Sequence, residues 1–89
     1  MKINFKELEE KLGTLTGNDL LTAERDCRAA GETFPTLNFS SAFQARLAAR
    51  ALNINPHDIN DLPLKEFNRV CQIVFNFLFS AQGSDESTT

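Results

Sequence analysis

Residues 64–79, LKEFNRVCQIVFNFLF, decide the fold predicted for this chain. Apolar residues recur along the stretch at three- and four-residue steps, the pattern of an amphipathic helix: Leu64, Phe67, Cys71, Val74 and Leu78. From Cys71 onward the only polar residues are Gln72 and Asn76, so this half is apolar on more than one side. A small core covers only one face of a helix. The stretch therefore predicts a helix that closes the core and also offers a surface to another protein chain.

The composition indicates one small domain with a protein partner. The chain has 89 residues and a formal net charge of −3, without a cluster of Lys or Arg. This balance argues against nucleic acid and against an anionic membrane surface, because both bind mainly through basic residues. No signal peptide or membrane span is predicted, since the longest apolar run is too short. A protein partner is favoured by elimination.

Two helices are predicted in the first third of the chain. Asn4 is a good N-cap for the first helix, and Gly13 should end it. The predicted buried stripe of this helix consists of Phe5, Leu8 and Leu12. The second should run from Asp19 to Ala30 and stop at Gly31. Any of three residues could cap the second helix: Asn18, Asp19 or Thr22. Its predicted buried face consists of Leu20, Ala23, Cys27 and Ala30.

Residues 31–40, GETFPTLNFS, are the least regular part of the predicted domain. Pro35 prevents a continuing helix, and residues 33–39 are open to a short edge strand or an irregular loop. Three apolar side chains are expected to plug the core from here: Phe34, Leu37 and Phe39.

The third helix should begin at Ser40 or Ser41, with Ser41 and Gln44 in capping-box spacing. Its predicted apolar ridge consists of Phe43, Leu47 and Ala51. A flank of small residues beside the ridge would allow another helix to approach closely: Ala42, Ala45 and Ala49. It should end at Asn53 or Asn55.

Two proline-containing turns lead into the last helix. Asn55 followed by Pro56 starts a short helical turn to about Asn60, and Pro63 opens the last helix, which should end at Phe79. The polar residues 80–89 are predicted to be a disordered tail. The expected fold is all-α: a small single-domain bundle, residues 1–79, of three main helices plus a short helical turn.

Residues with chemical potential are few, and the sequence predicts no enzyme, cofactor or metal. His57 has no Ser or Cys neighbour placed as a nucleophile, and Asp58 and Asp61 flank helix starts, where capping explains them. One histidine and two cysteines, Cys27 and Cys71, are too few for a zinc set. Both cysteines fall on apolar stripes and are predicted to be buried, reduced thiols.

The end of the last helix carries the predicted binding surface. Phe75, Phe77 and Phe79 are two residues apart, so their side chains point in about two directions around a helix. The core can cover only one of these two directions. The other interpretation is that all three fold back onto the loop of Phe34 and Phe39. Arg46 and Arg50, one turn apart, are added as the rim of the surface. The candidate partner-binding residues are Val74, Phe75, Phe77, Leu78, Phe79, Arg46 and Arg50.

Arg46 and Arg50 with Gln44 also allow a second interpretation, as a recognition helix that enters a DNA groove. The rest of the surface would then have to supply phosphate contacts, and the overall charge opposes this.

Several segments resemble phage tail assembly chaperones of long-tailed phages. The similarity lies in residues 21–25, LTAER, in 43–52, FQARLAARAL, in the Pro56 turn, and in 61–67, DLPLKEF, with the closing 76–79, NFLF. It covers residues 21–79.

The resemblance implies a small, mainly helical protein that is not an enzyme. Such chaperones coat the tape measure protein, help to recruit tail tube protein, and leave before the virion is complete. They act in the cytoplasm of the bacterial host and are absent from the mature virion. Many also have a longer, frameshifted form, and the polar residues after Phe79 fit a short form. Self-association is also expected from the surplus apolar surface. The alternative is a small helical DNA-binding or regulatory phage protein.

Overall fold

The chain forms an all-α domain, as predicted. A computed structural model describes the backbone of residues 2–87 and the side chains of residues 2–80 other than Asn38. In chain order the elements are α1 (Phe5–Leu12), α2 (Gly17–Ala29), a 3₁₀ turn (Leu37–Phe39), α3 (Ser41–Leu52), α4 (Pro56–Asn60) and α5 (Leu64–Ser87). Residues 33–39 were open to a strand, but residues 2–87 contain none.

The centre of the bundle is α3, which packs against all the other helices and the 3₁₀ turn. Its buried side chains are mostly small: Phe43, Gln44, Ala45, Leu47, Ala48, Ala49 and Ala51. Alanines on several sides let the neighbouring helices approach closely, while Phe43 and Leu47 fill the space between them. The small-residue flank was thus predicted correctly at Ala45 and Ala49, whereas Ala42 is exposed. α5 is one of the helices packed against α3, not the centre.

Asparagines set three of the helix boundaries, each at a predicted position. Asn4 Oδ1 accepts a hydrogen bond from the Glu7 N–H at 3.1 Å, and Asn55 Oδ1 accepts from the His57 N–H at 2.9 Å. Both satisfy a donor that the first helical turn leaves free. Asn53 ends α3 in the left-handed conformation, with φ 57°, which asparagine tolerates better than most residues.

The start of α2 and the capping box of α3 were predicted wrongly, although α3 does begin at Ser41, one of its two predicted starts. α2 begins at Gly17 after Thr16, two residues before the predicted start, and the Thr16 N–H donates to Asp19 Oδ2 at 2.9 Å. Asp19 therefore closes a capping box as the third helical residue. Ser40 caps α3, since its Oγ accepts from the Phe43 N–H at 3.3 Å. The predicted box of Ser41 and Gln44 lies one residue too late.

The buried stripe of α5 differs from the predicted one at its start. Leu64, the first helical residue, overhangs the core and is 74% exposed, whereas Val70 is fully buried. In α2, Ala30 is also exposed rather than buried, because it lies beyond the last helical residue. The α5 backbone stays helical to Ser87 and so passes the predicted end at Phe79. Residues 80–89 were predicted to be a disordered tail, and the side chains of residues 81–89 lie outside the described part of the chain.

The loop between α2 and α3 is fixed by one arginine. Arg28 Nη1 donates to the carbonyl oxygens of Phe34 at 2.7 Å and Glu32 at 3.3 Å, and Nη2 donates to that of Pro35 at 3.2 Å. The Glu32 carboxylate accepts from the Ser40 hydroxyl, and this bond is the main cause of its lowered pKa. These contacts hold the loop in shape and set the 3₁₀ turn against α5.

Of the three apolar side chains expected to plug the core from this loop, only Leu37 does so. Phe34 and Phe39 are 45% and 53% exposed, and their predicted burial is wrong. Arg28 holds the backbone carbonyls of Phe34 and Pro35, and the Phe34 side chain stays exposed in the loop that these bonds fix.

Candidate interaction surface

Three phenylalanine side chains form a cluster at the surface where the 3₁₀ turn meets α5. We refer to Phe39, Phe75 and Phe79 as the aromatic cluster. The Phe75 and Phe79 ring centroids are 4.5 Å apart, and the Phe39 centroid lies 5.9 Å from the first and 5.6 Å from the second. All three pairs are tilted, a favourable ring arrangement. Because Phe39 and Phe79 stay 53% and 36% exposed, the cluster is a surface feature.

The structure divides the predicted binding residues of α5 between two faces. Phe75 and Phe79, four residues apart, are on the cluster face, as the spacing predicts. Phe77 and Leu78 are partly buried against the core. Val74 is fully buried, and its prediction as a partner-binding residue is therefore wrong: it fills the space between α5 and the core.

Phe39 belongs to this surface, although the sequence analysis predicted that it would fill the core. The interpretation in which α5 phenylalanines fold back onto the loop is correct for Phe39, which contacts both Phe75 and Phe79. The contact is at the surface and not in the core. Local spacing gives no signal for this position, because Phe39 lies outside the predicted helices and its ring contacts are with residues far along the chain.

The two arginines added to the predicted surface lie elsewhere, against α2 and α4. Arg50 Nε donates to Asp19 Oδ1 at 2.8 Å, in an ion pair between α3 and α2. The Thr16 N–H and the Arg50 guanidinium together lower the pKa of Asp19. Arg46 is half-buried beside an open groove between α2, α3 and α4. Neither arginine rims the aromatic cluster.

The interpretation of α3 as a DNA recognition helix also required Gln44 to be exposed. Gln44 is only 6% exposed, because it faces the interior of the bundle rather than the outer side of α3. A side chain that reads a base edge must reach into the groove. With Arg50 ion-paired and Gln44 buried, α3 has no set of side chains arranged for base contacts.

The reactive side chains in the described residues are dispersed. Cys27 and Cys71 are free and buried, and the Cys71 Sγ donates to the Ser41 carbonyl at 3.8 Å. His57 is exposed in the first turn of α4. Within the described residues, no three His, Cys, Asp or Glu side chains come together to hold a metal ion. None of the helices in this part of the chain is long and apolar enough to cross a membrane.

Both thiols are expected to resist modification in the folded protein. Burial raises the pKa of Cys71 to about 11 and raises that of Cys27 as well, so little reactive thiolate forms at neutral pH. With a disulfide reagent at pH 8, we expect slow labelling of both cysteines, limited by unfolding, and rapid labelling in denaturant. Fast labelling of the native protein would contradict the burial. A variant with an added surface thiol, Ser80→Cys, is the positive control.

Comparison with known protein families, with characterised proteins and with solved structures gives no match for this chain.

Proposed function

We propose that this protein is a non-enzymatic phage tail assembly chaperone that binds the tape measure protein through the aromatic cluster. The observation that carries the proposal is the cluster itself: Phe39, Phe75 and Phe79 form an aromatic patch outside a core that is otherwise closed. Exposed aromatic rings that lie side by side can serve as apolar anchors for another protein chain. The resemblance of residues 21–79 to tail assembly chaperones supplies the class of partner.

The proposed mode of binding is the docking of an apolar helix face on the cluster. Phe75 and Phe79 form a ridge along α5, and Phe39 flanks it from the 3₁₀ turn. Such a surface accepts apolar anchors spaced three or four residues apart on a partner helix. A tape measure protein before assembly is a long chain with apolar helical faces, and it offers such anchors repeatedly.

The size of the cluster fits reversible binding. Full burial of a phenylalanine side chain stabilises by about 1.5–3 kcal/mol, and each ring of the cluster is already partly covered by the other two. Covering the exposed parts of three rings therefore contributes roughly 3 kcal/mol, less than the ~4 kcal/mol or more that association costs, so residues around the cluster must add further contacts. One copy binds weakly, and many copies along one partner coat it. Weak binding per copy lets the chaperone leave as tail tube protein arrives, so it is absent from the mature virion.

Co-expression with the tape measure protein of the same genome tests the proposal. We expect the wild-type chain to keep that protein in the soluble fraction and to co-purify with it. The double variant Phe39→Asp/Phe79→Asp should leave it insoluble, because two charges would be desolvated in the contact. Leu64→Asp is the matched control, since Leu64 is an exposed apolar residue at the other end of α5, and it should behave as wild type.

Two outcomes would reject the proposal. In one, the wild-type chain does not improve the solubility of the tape measure protein. In the other, the double variant keeps its native helical content and still solubilises the partner as well as wild type does.

A further inference from the structure

Glu32 links the two ends of the loop between α2 and α3. Its N–H donates to the Cys27 carbonyl in α2 at 3.2 Å, so its backbone is fixed to the end of that helix. Its carboxylate accepts hydrogen bonds from the Thr33 N–H, at 3.1 Å, and from the Ser40 hydroxyl, eight residues further along the chain. The bond from Ser40 therefore ties the start of α3 to the end of α2.

The Ser40 hydroxyl forms hydrogen bonds on both sides although it is buried. Ser40 is only 5% exposed, and its Oγ accepts a hydrogen bond from the Phe43 N–H at 3.3 Å. Its single proton goes to Glu32. A buried hydroxyl that loses its acceptor costs about 1–3 kcal/mol. Without Glu32, this cost would favour a shift of the backbone at Ser40 that brings the hydroxyl to water.

Phe39 directly precedes Ser40, and burial does little to hold its ring in place. The ring is 53% exposed, whereas Leu37, at the other end of the 3₁₀ turn, is buried in the core. The Phe39 N–H donates to the Thr36 carbonyl at 3.1 Å, and the Ser40 N–H donates to the Leu37 carbonyl at 2.8 Å. Because these bonds join the turn to Ser40, the direction of the Phe39 ring is set between the buried Leu37 and the capping Ser40.

We propose that Glu32 is a positioning residue for the aromatic cluster: by accepting the Ser40 proton it holds Phe39 against Phe75 and Phe79. The other two rings do not need it, since residues four apart on one helix are neighbours in any case. Without Glu32 the cluster is reduced to the two rings of α5. The effect on tape measure binding rests on the proposed function, whereas the placement of the Phe39 ring does not.

Nuclear Overhauser effects between phenylalanine rings, measured on the full chain with labelled phenylalanine, test this placement. In the wild-type protein we expect cross-peaks from Phe39 to Phe75 and to Phe79, whose ring centroids lie 5.9 and 5.6 Å away. Glu32→Ala should lose both. It should keep the cross-peak between Phe75 and Phe79, whose centroids are 4.5 Å apart, and native helical content by circular dichroism.

Two further variants separate positioning from a general effect of losing a glutamate. Glu24→Ala makes the same change at a half-buried glutamate of α2 and should keep all three cross-peaks. Glu32→Gln should keep them as well, because an amide bonds to a hydroxyl through either its oxygen or its NH₂ group. Loss of the Phe39 cross-peaks in Glu24→Ala or in Glu32→Gln would overturn the proposal.

The proposal is also overturned if Glu32→Ala keeps the Phe39 cross-peaks, whatever its effect on the partner. If that variant loses helical content, Glu32→Asp takes its place, since it is one methylene too short to reach Ser40, and unchanged cross-peaks there overturn the proposal. Co-expression with the tape measure protein separates the two ideas. Reduced solubility of the partner with Glu32→Ala supports both. Lost cross-peaks with undiminished solubility support the positioning and count against binding through the cluster.

Discussion

Phe43→Ala is expected to destabilise the protein by about 3–5 kcal/mol, the largest loss of stability from removing apolar atoms at one position. Phe43 is the largest fully buried side chain and lies on α3, against which the other elements pack. Its removal leaves a cavity where several helices meet. A domain of this size has a total stability of roughly 5–13 kcal/mol, so the variant should be close to unfolding.

Urea denaturation followed by circular dichroism measures this effect through the free energy of unfolding. Phe34→Ala is the matched control: it removes the same atoms from a side chain that is 45% exposed in the loop, and its effect should stay within about 1 kcal/mol. Equal losses in the two variants would mean that α3 is not the centre of the core.

Val74→Asp is expected to cost about 4 kcal/mol or more at pH 7. Val74 is fully buried on α5, and a carboxylate there would lose its hydration without gaining a partner. Burial raises the pKa of a carboxyl group by up to about 3–5 units, and each unit corresponds to 1.36 kcal/mol. The raised pKa also sets the sign of the pH dependence: the penalty falls as pH drops below the folded pKa and the group becomes neutral.

Phe79→Asp gives the paired measurement on the same helix. It places the same residue five positions later, at a side chain that is 36% exposed, and should cost less, about 1–2 kcal/mol from the lost ring contacts. Thermal unfolding at pH 7 and pH 5 separates the two, because only Val74→Asp should recover stability at the lower pH. A stable Val74→Asp variant would return Val74 to the predicted binding surface.

Local features of the fold were predictable because they depend on neighbours in the chain. Asn4 and Asn55 are caps at the expected positions, since an asparagine side chain bonds to an N–H only two or three residues away. At α3 the predicted start, Ser40 or Ser41, includes the observed one, but the capping box predicted on Ser41 and Gln44 is wrong because Ser40 is the cap.

The binding surface was predicted only in part. The i, i+4 spacing put Phe75 and Phe79 on one face, and the structure agrees. Spacing within a helix does not show which stripe meets the core. Val74 was assigned both to the apolar stripe and to the binding surface, and only the stripe is correct, whereas Leu64 was assigned to the stripe and is exposed. Phe39 was placed in the core because its contacts with Phe75 and Phe79 join distant parts of the chain, which spacing within a helix does not reveal.

The sequence by itself determined an all-α domain, most of its helix boundaries, and an apolar surplus on residues 64–79. Helical periodicity, caps and prolines are local, and they act alike in any packing arrangement. Only the tertiary structure decided that α3 is the central helix and that Phe39 joins Phe75 and Phe79 at the surface. Both depend on which helices come close in space. Such proximity is set by volume and shape at α3, where alanines allow close approach and Phe43 fills the remaining space.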